Sequence, residues 1–187
     1  MIQLNLSDLA GVLNCEIPAS DVLVDSIVTD SRQVHYGSLF AALEGSQVDG
    51  HDFAPTALEM GAVALLVSQR LDLDIPQLVV KNVLLALGRL ARLVRDRVNP
   101  RVIGITGSNG KTTVKEMLSS ILRRQGNVLA TLGNYNNELG VPLSLFELEQ
   151  NHRYAVLELG ASKIGDIAYL TGIAGPDVGL VTNVGPA

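Results

Sequence analysis

The chain has 187 residues, of which 47% are hydrophobic and 18% charged, and its formal net charge is −5. This composition excludes a disordered chain, and the negative charge argues against nucleic acid or an anionic membrane as a partner. The single cysteine, Cys15, excludes an internal disulfide and is typical of a reducing compartment. The chain shows no signal-peptide pattern and no apolar run that could span a bilayer, so we expect a cytoplasmic protein.

Short strand and helix patterns alternate in the first half of the chain. A dense cluster of turn-forming residues predicts a loop at 45–52. The patterns predict a capped helix that starts at Ser7-Asp8, strands at 22–28, 38–43, 62–67 and 77–80, and helices at 55–60 and 83–98. Asn99-Pro100 ends the last of these helices, so we predict one domain at residues 1–99 and a second at residues 100–187.

The second half shows the alternation of strands and helices that is typical of a parallel sheet. The patterns predict strands at 102–106, 128–131, 154–159 and 178–184, a helix near 165–170, and a helix with Val114, Met117, Leu118, Ile121 and Leu122 on one face. The predicted fold class is therefore α/β, with a small mixed α/β domain followed by a truncated parallel-sheet domain. Because nucleotide-binding sheets usually have more strands, we expect a fragment of a longer protein.

A glycine-rich turn between the strand at 102–106 and the next helix predicts a phosphate-binding P-loop. Lys111 would add a full positive charge to the helix N-terminus, Thr112 would ligate magnesium, and Thr113 would cap the helix or contact the α-phosphate. The general pattern has a glycine where Ile105 stands, so a simple helix-capping turn is the alternative. The turn predicts binding of ATP with Mg2+ through Gly107, Ser108, Asn109, Gly110, Lys111, Thr112 and Thr113.

A carboxylate in the apolar strand at 154–159 is the candidate magnesium partner. Glu158 lies near the C-terminal end of this strand, and ligands of open parallel sheets bind outside the carboxyl ends of the strands. A buried carboxylate needs a cation, which a magnesium ion at the P-loop would supply. A glutamate that faces solvent or forms a salt bridge is the alternative.

Several ordered motifs resemble the Mur ligases, which build the peptide of bacterial peptidoglycan. The segment 104–117 resembles their ATP loop, whose glycines stand where this chain has them, which accounts for Ile105. Further segments resemble later motifs of one member of the family, at 131–143, 158–161, 165–168, 176–177 and 181–184. Four N-terminal segments resemble the UDP-binding domain that this member shares with one other ligase of the family, at 29–32, 37–40, 49–53 and 61–64.

The resemblance implies a longer enzyme with three domains: an N-terminal domain for the UDP end of the substrate, a P-loop domain for ATP, and a C-terminal domain, absent here, for D-Ala-D-Ala. It implies a monomeric, ATP-dependent amide ligase that joins D-Ala-D-Ala to UDP-MurNAc-tripeptide through an acyl phosphate in peptidoglycan precursor synthesis. The family's metal site also uses a His and a modified Lys, which should lie beyond Ala187. We therefore expect this fragment to bind its ligands without turning them over.

Two other functions compete with a ligase. The first is a module that binds a nucleotide or a UDP-sugar without catalysis. The second is a P-loop kinase or GTPase, which the chain disfavours because it lacks the Asn-Lys-x-Asp guanine signature. Nucleotide turnover separates these functions, because a ligase needs both substrates and releases ADP and phosphate.

The resemblance also implies roles for individual residues. Lys111 and Glu158 would be catalytic because they offset the charge of two reacting anions, with Thr112 and Glu158 as metal ligands. Ser31 and Arg32 are candidates for the UDP phosphates, since arginine offers a bidentate fork. Asn183 is a candidate for ATP. The other candidates for the UDP-substrate, for which a turn or core position is the alternative, are Gly45, Asp49, His51, Asn134, Asn136 and Asn137.

Overall fold

The computed structural model describes residues 1–45 and 47–185, and the chain divides into two compact units, Met1–Leu90 and Ala91–Ala187. Each unit contains a four-stranded parallel sheet with helices, so the predicted α/β class is confirmed. Within the described residues, no helix combines the length and the hydrophobicity that a bilayer crossing requires.

The first unit contains a short antiparallel pair and a parallel sheet of sequential strands. The pair joins β1 (Leu4–Asn5) to β2 (Leu23–Val24). The parallel sheet has the order β3 (Ser26–Val28), β4 (Ser38–Ala41), β5 (Ala64–Val67) and β6 (Gln77–Val79). Between the strands lie helix α1 (Leu6–Leu13), helix α2 (Ala54–Glu59), and two 3-10 helices at Ser31–Gln33 and Gly50–Phe53.

Two predictions for this unit are wrong in detail. The strand predicted at 22–28 is two strands, because the Asp25 N–H donates to the carbonyl oxygen of Gly37 at 3.0 Å and each part pairs with a different neighbour. Ser7 lies inside α1 and does not cap it. Its N–H and its hydroxyl both donate to the Asp21 carboxylate, each at 2.9 Å. The Ser7 side chain therefore binds Asp21 and does not cap the end of the helix.

Every residue of β4 and β5 is buried, so both faces of these strands are covered, as is usual for inner strands of a parallel sheet. Phe40, Leu65 and Val67 pack in one cluster with Ala54 and Ala57 of α2. The small alanines let the helix approach the sheet closely. Burying each large side chain of this cluster stabilises the fold by about 1.5–3 kcal/mol.

Helix α3 (Val83–Val98) is confirmed at the predicted residues, and the division between the units falls within it. Its last turns belong to the second unit. Arg92 donates to the carbonyl oxygen of Gly172 at 2.9 Å, and Arg95 donates to that of Gly175 at 2.8 Å. These carbonyl groups lie at the C-terminal end of a helix, where intrahelical donors are lacking, so the two arginines satisfy them.

The second unit has a parallel sheet whose first strand in sequence lies between two strands that come later in the chain. Its elements are β7 (Arg101–Thr106), α4 (Lys111–Leu122), β8 (Asn127–Ala130), α5 (Gly140–Phe146), β9 (His152–Glu158), α6 (Asp166–Ala174) and β10 (Val178–Val181). The strand order is β10-β7-β9-β8, and all pairs are parallel. The loop after β7 therefore lies between the C-terminal ends of two neighbouring strands, where ligands bind in such sheets.

Two helices of this unit differ from prediction. The sequence pattern does not predict α5, because Pro142 and the asparagines before it favour a loop, but proline is tolerated in the first turn of a helix. In α4, Met117 and Ile121 are exposed, although the pattern places them on the buried face. Val114, Leu118 and Leu122 pack against the sheet as predicted, and Lys115 and Ser119 are buried beside them.

Candidate functional site

The glycine-rich loop joins β7 to α4, in the strand–loop–helix arrangement of a phosphate site. Gly107 and Gly110 have φ angles of 134° and 80°, which residues with a side chain rarely adopt. A Cβ atom on Gly107 would also collide with the Thr182 hydroxyl. Thr112 and Thr113 are exposed in the first turn of α4, whose N–H groups lack intrahelical acceptors and can bind an anion.

Lys111 is the first residue of α4, and its side chain bends back over the loop. Its Nζ atom donates to the carbonyl oxygen of Gly107 at 2.5 Å. A phosphate bound in the loop would offer this ammonium a charged acceptor, which forms a stronger hydrogen bond than a carbonyl group. Lys111 also lines a cavity of about 390 Å³ with Asn136, Asn137, Glu138, Gly160, Ala161, Ser162, Lys163, Asp166, Tyr169 and Leu170.

The segment after β10 braces the P-loop. The side-chain oxygen of Asn183 accepts the N–H of Asn109 at 3.0 Å, and the Thr182 hydroxyl donates to the carbonyl oxygen of Asn109 at 2.6 Å. The Ser108 hydroxyl donates to the carbonyl oxygen of Gly185 at 2.7 Å. Asn183 thus contacts the loop predicted to hold ATP. Its own contact with ATP stays a prediction.

Glu158 is buried at the end of β9, beside Ile105 of β7 in the register of the sheet. Its Oε1 atom is buried without a hydrogen-bond partner, although the Nζ atom of Lys115 lies 3.4 Å away. The contact is an ion pair without hydrogen-bond geometry. The solvent-facing alternative is therefore wrong, and the salt-bridge alternative holds, with Glu158 Oε1 left without a hydrogen-bond donor.

A magnesium ion fits this arrangement better than a metal held by protein ligands alone. Across residues 1–45 and 47–185, no group of three or more His, Cys, Asp or Glu side chains could hold a metal ion. Magnesium commonly keeps several waters and binds through one or two protein oxygens together with substrate phosphates. The Glu158 carboxylate and the Thr112 hydroxyl are oxygen donors of this kind.

Lys115 is a site residue that motif reasoning missed. Its side chain is 4% exposed, and its Nζ atom donates to the carbonyl oxygen of Thr131 at 2.8 Å and lies 3.0 Å from Glu116 Oε1. The Thr131 hydroxyl in turn accepts the N–H of Glu158 at 3.0 Å. The sequence carries one signal that places Lys115 near the loop: it follows Lys111 by one helical turn, so both residues lie on the same face of α4.

The three predicted asparagines precede α5 and differ in position. Asn136 and Asn137 line the cavity with Lys111, whereas Asn134 is exposed and does not line it. The side-chain oxygen of Asn137 accepts the N–H of Gly140 at 2.8 Å, so the turn-forming alternative holds for this residue. The carbonyl oxygen of Asn136 accepts the N–H of Gly160 at 2.7 Å, which joins this loop to the end of β9.

The first unit has a cavity of its own, of about 540 Å³. It brings together Ser31, Arg32 and Gly45, three of the residues predicted for the UDP-substrate. Its other walls are partly apolar and partly polar, formed by Thr29, Asp30, Phe40, Leu43, Val48, Gly50 and Phe53. An apolar surface next to a cationic side chain suits a ligand with a flat base and an anionic group.

Asp30 orients the Arg32 side chain at this cavity. Its carboxylate accepts the backbone N–H of Arg32 at 3.0 Å, Nε at 2.9 Å and Nη2 at 2.7 Å. The side-chain and backbone hydrogen bonds from Arg32 lower the pKa of Asp30 to about 2, and the same pair raises the pKa of Arg32. The Nε–Nη2 fork is thus engaged by Asp30, so a phosphate would meet the Nη1 edge of the guanidinium.

His51 is buried and bridges two segments of the first unit. Its Nε2 atom accepts the N–H of Ser68 at 3.0 Å, so Nδ1 carries the proton and donates to Asp49 at 2.6 Å. The backbone N–H of His51 is the main cause that lowers the pKa of Asp49. The Ser68 hydroxyl donates to Glu44 at 2.7 Å. The core-histidine alternative fits these contacts, and a contact of Asp49 or His51 with the UDP-substrate stays a prediction.

A P-loop at the C-terminal edge of a parallel sheet, together with a second small α/β unit, defines a nucleotide-site protein of the α/β class. A family model described as the Mur ligase family, catalytic domain, matches residues 23–124, and one described as the Mur ligase middle domain matches residues 105–187. The chain therefore belongs to the Mur ligase family, which confirms the resemblance of its motifs.

Curated relatives include the UDP-N-acetylmuramoyl-tripeptide–D-alanyl-D-alanine ligases of Escherichia coli and Haemophilus influenzae, which are 48% and 44% identical over 100% of this chain. The chain spans only 41% and 42% of the length of these relatives. Among solved structures, MurF from Acinetobacter baumannii matches with a TM-score of 0.93 and 40% identity over 100% of this chain and 42% of its own. The MurF ligase from Thermotoga maritima in complex with ADP matches with a TM-score of 0.80 and 40% identity, over 87% of this chain and 38% of its own.

Proposed function

We propose that the protein is an ATP-dependent ligase that joins D-alanyl-D-alanine to UDP-N-acetylmuramoyl-tripeptide in peptidoglycan precursor synthesis. In this proposal the chain supplies a UDP-substrate domain, residues 1–99, and part of an ATP domain, residues 100–187. One observation carries the proposal: Lys111 lies over a glycine loop at the same sheet edge as the buried Glu158, in a chain similar over its whole length to ligases of that name. We further propose a cytoplasmic monomer without a nucleic-acid or membrane partner.

The phosphates of ATP would bind between the P-loop and the first turn of α4. The loop offers backbone N–H groups, and Lys111 would exchange its bond with Gly107 for one with a phosphate oxygen. Asn183 would keep the loop in shape through Asn109. The relative from Thermotoga maritima, solved as an ADP complex, supports a nucleotide at this site.

The Thr112 hydroxyl and the Glu158 carboxylate would hold a magnesium ion, which supplies charge neutralisation at the phosphates when bound. Strand β9 fixes Glu158 at the edge where β7 enters the P-loop, because Glu158 pairs in register with Ile105. Burial keeps water away from this carboxylate and strengthens its interaction with a cation.

The reaction must first activate a carboxyl group. The terminal carboxylate of the tripeptide would attack the γ-phosphorus of ATP, forming an acyl phosphate as the bond to ADP breaks. The amine of D-Ala-D-Ala would then attack the acyl carbon, lose a proton and expel inorganic phosphate. Two anions meet in the first step, so the positive charge of Lys111 and of the N-terminus of α4 would lower its barrier.

The UDP end of the substrate would bind in the cavity of the first unit. The Nη1 edge of Arg32, which Asp30 does not engage, and the Ser31 hydroxyl would contact the phosphates. The apolar rings of Phe40 and Phe53 in the same walls suit the flat face of a uracil base. The remaining contacts proposed for this substrate are Gly45, Asp49, His51, Asn134, Asn136 and Asn137.

Calorimetric titration of the whole natural protein tests this function. We expect it to bind UDP-MurNAc-tripeptide in preference to UDP-GlcNAc, and to bind ATP in the presence of Mg2+. Arg32→Ala should weaken the binding of UDP-MurNAc-tripeptide and leave the binding of ATP unchanged. A folded protein that binds the two UDP ligands equally, or neither of them, would contradict the proposed substrate.

A further inference from the structure

Lys115 is a buried lysine on the face of α4 that packs on the sheet. Its Nζ atom lies 2.8 Å from the carbonyl oxygen of Thr131, 3.0 Å from Glu116 Oε1 and 3.4 Å from Glu158 Oε1. Burying an ammonium group costs free energy that an apolar side chain of similar size would avoid. Packing alone therefore gives no reason for a lysine at this position.

The two partners of Lys115 that lie outside α4 belong to two segments of the proposed ATP site. Glu158 ends β9 and is the proposed magnesium ligand. Thr131 follows β8 and begins the loop that carries Asn136, a lining residue of the cavity next to Lys111. The Thr131 hydroxyl accepts the N–H of Glu158 at 3.0 Å, so a hydrogen bond joins the two segments, and both also contact the ammonium group of Lys115.

We propose that Lys115 is a positioning residue of the ATP–magnesium site, which holds the Glu158 carboxylate and the start of the 131–139 loop in the arrangement that the metal-bound nucleotide requires. This inference rests on the proposed function, because it concerns the ligand Glu158. Lys115 itself does not contact the nucleotide. It acts through the carboxylate, as outer-shell partners orient metal ligands in other proteins.

Electrostatic repulsion alone predicts an effect on metal binding that is opposite to the effect of a positioning role. A positive charge 3.4 Å from a carboxylate oxygen repels a cation that binds the same carboxylate, so removing the lysine would tighten metal binding. Positioning predicts that removing it weakens metal binding, because the carboxylate loses its fixed orientation. The two accounts therefore differ in the sign of the effect.

The test substitutes Lys115→Met in the whole natural protein and measures the gain in ATP affinity that Mg2+ provides, as the ratio of Kd in EDTA to Kd in Mg2+. We expect a loss of this gain by about 10-fold or more, the usual effect of removing a partner of a metal ligand, while the affinity without metal changes by less than about 2-fold. A merely structural defect would lower both affinities together. Glu116→Gln is the matched control, since the Glu116 side chain is 59% exposed and solvent screens its attraction to the same ammonium group.

Lys115→Gln provides a second variant, which keeps an N–H donor for the carbonyl oxygen of Thr131 and removes the charge. We expect its magnesium gain to lie below that of the wild type and above that of Lys115→Met, so the comparison of Lys115→Gln with the wild type remains decisive if Lys115→Met fails to fold. An unchanged or larger magnesium gain in either folded variant would overturn the positioning role. A wild-type protein whose ATP affinity does not depend on Mg2+ would instead contradict the proposed function.

Discussion

Asn183 accepts the backbone N–H of Asn109 through its side-chain oxygen, at 3.0 Å, and so fixes the P-loop from the segment after β10. The Thr182 hydroxyl fixes the carbonyl group of the same residue at 2.6 Å. Both backbone groups of Asn109 are thus engaged by residues of a neighbouring strand end. A loop held in this way loses less conformational entropy when a phosphate binds.

Removing this acceptor should loosen the loop. In Asn183→Ala we expect hydrogen exchange of the Asn109 amide to rise about 5-fold, because a single hydrogen bond contributes roughly 1 kcal/mol. The affinity for ATP should fall by a smaller factor. Val184→Ala is the control, since Val184 is 93% exposed. Equal exchange of the Asn109 amide in the wild type and in Asn183→Ala would contradict the bracing role.

Lys111→Ala should abolish most of the nucleotide affinity and spare the fold. We expect ATP to bind about 10- to 100-fold more weakly, as for the loss of a hydrogen bond between charged groups, while the free energy of unfolding changes by less than about 1 kcal/mol. Calorimetry with ATP and thermal unfolding measure the two effects. Lys81→Ala, at an exposed lysine of the first unit, should change neither. Retained ATP affinity in Lys111→Ala would exclude the P-loop assignment.

The Asp30–Arg32 pair predicts a titration. The pKa of Asp30 is lowered from 3.8 to about 2 by hydrogen bonds from Arg32, so this pair stabilises the fold above the ordinary carboxyl pKa and the contribution is lost as the pH falls through about 2. In Arg32→Ala the pKa should move back toward 3.8, although the backbone N–H still donates. NMR titration of the carboxyl carbon measures it. Arg70→Ala should leave it unchanged, and a wild-type midpoint at 3.8 would refute the pairing.

His51 should act on UDP-substrate binding through the structure of its surroundings. We expect His51→Ala to lower the free energy of unfolding by about 1–3 kcal/mol, because it leaves the partly buried N–H of Ser68 without its acceptor, and to weaken UDP-MurNAc-tripeptide binding. His51→Gln keeps an acceptor for Ser68 and should lose less of both. Calorimetry and thermal unfolding make the comparison. A loss of ligand affinity as large in His51→Gln as in His51→Ala, with the stability regained in His51→Gln, would contradict this indirect role.

Local sequence patterns predicted the bounds of those helices whose apolar residues recur regularly. Helix α3 has a regular apolar face and ends at Asn99-Pro100, so its bounds follow from the sequence. Helix α4 shows where this reasoning fails. Met117 and Ile121 are apolar and exposed, whereas Lys115 is charged and buried. Its partners come from outside α4: Thr131 follows β8, and Glu158 ends β9. Such pairings are set by the register of the sheet and leave no local pattern.

The features of the candidate site likewise divide into those that local sequence patterns predicted and those that only the structure revealed. The motif around Lys111 predicted a loop between a strand and a helix, and the apolar strand that ends in Glu158 predicted a buried carboxylate. The engagement of Arg32 by Asp30 was not predicted, although the two residues are close in sequence, because a turn of this composition permits several side-chain arrangements. The bridge from His51 to Ser68 joins segments that are distant in sequence, so it required the fold.

Product release by the whole natural protein tests the central claim most directly. ADP and phosphate would be measured with ATP and Mg2+ present, with both UDP-MurNAc-tripeptide and D-Ala-D-Ala supplied and then with each omitted. The ligase account predicts sustained release of both products only when both substrates are present. Sustained release of ADP without D-Ala-D-Ala, or transfer of phosphate to a product that retains it, would contradict that account.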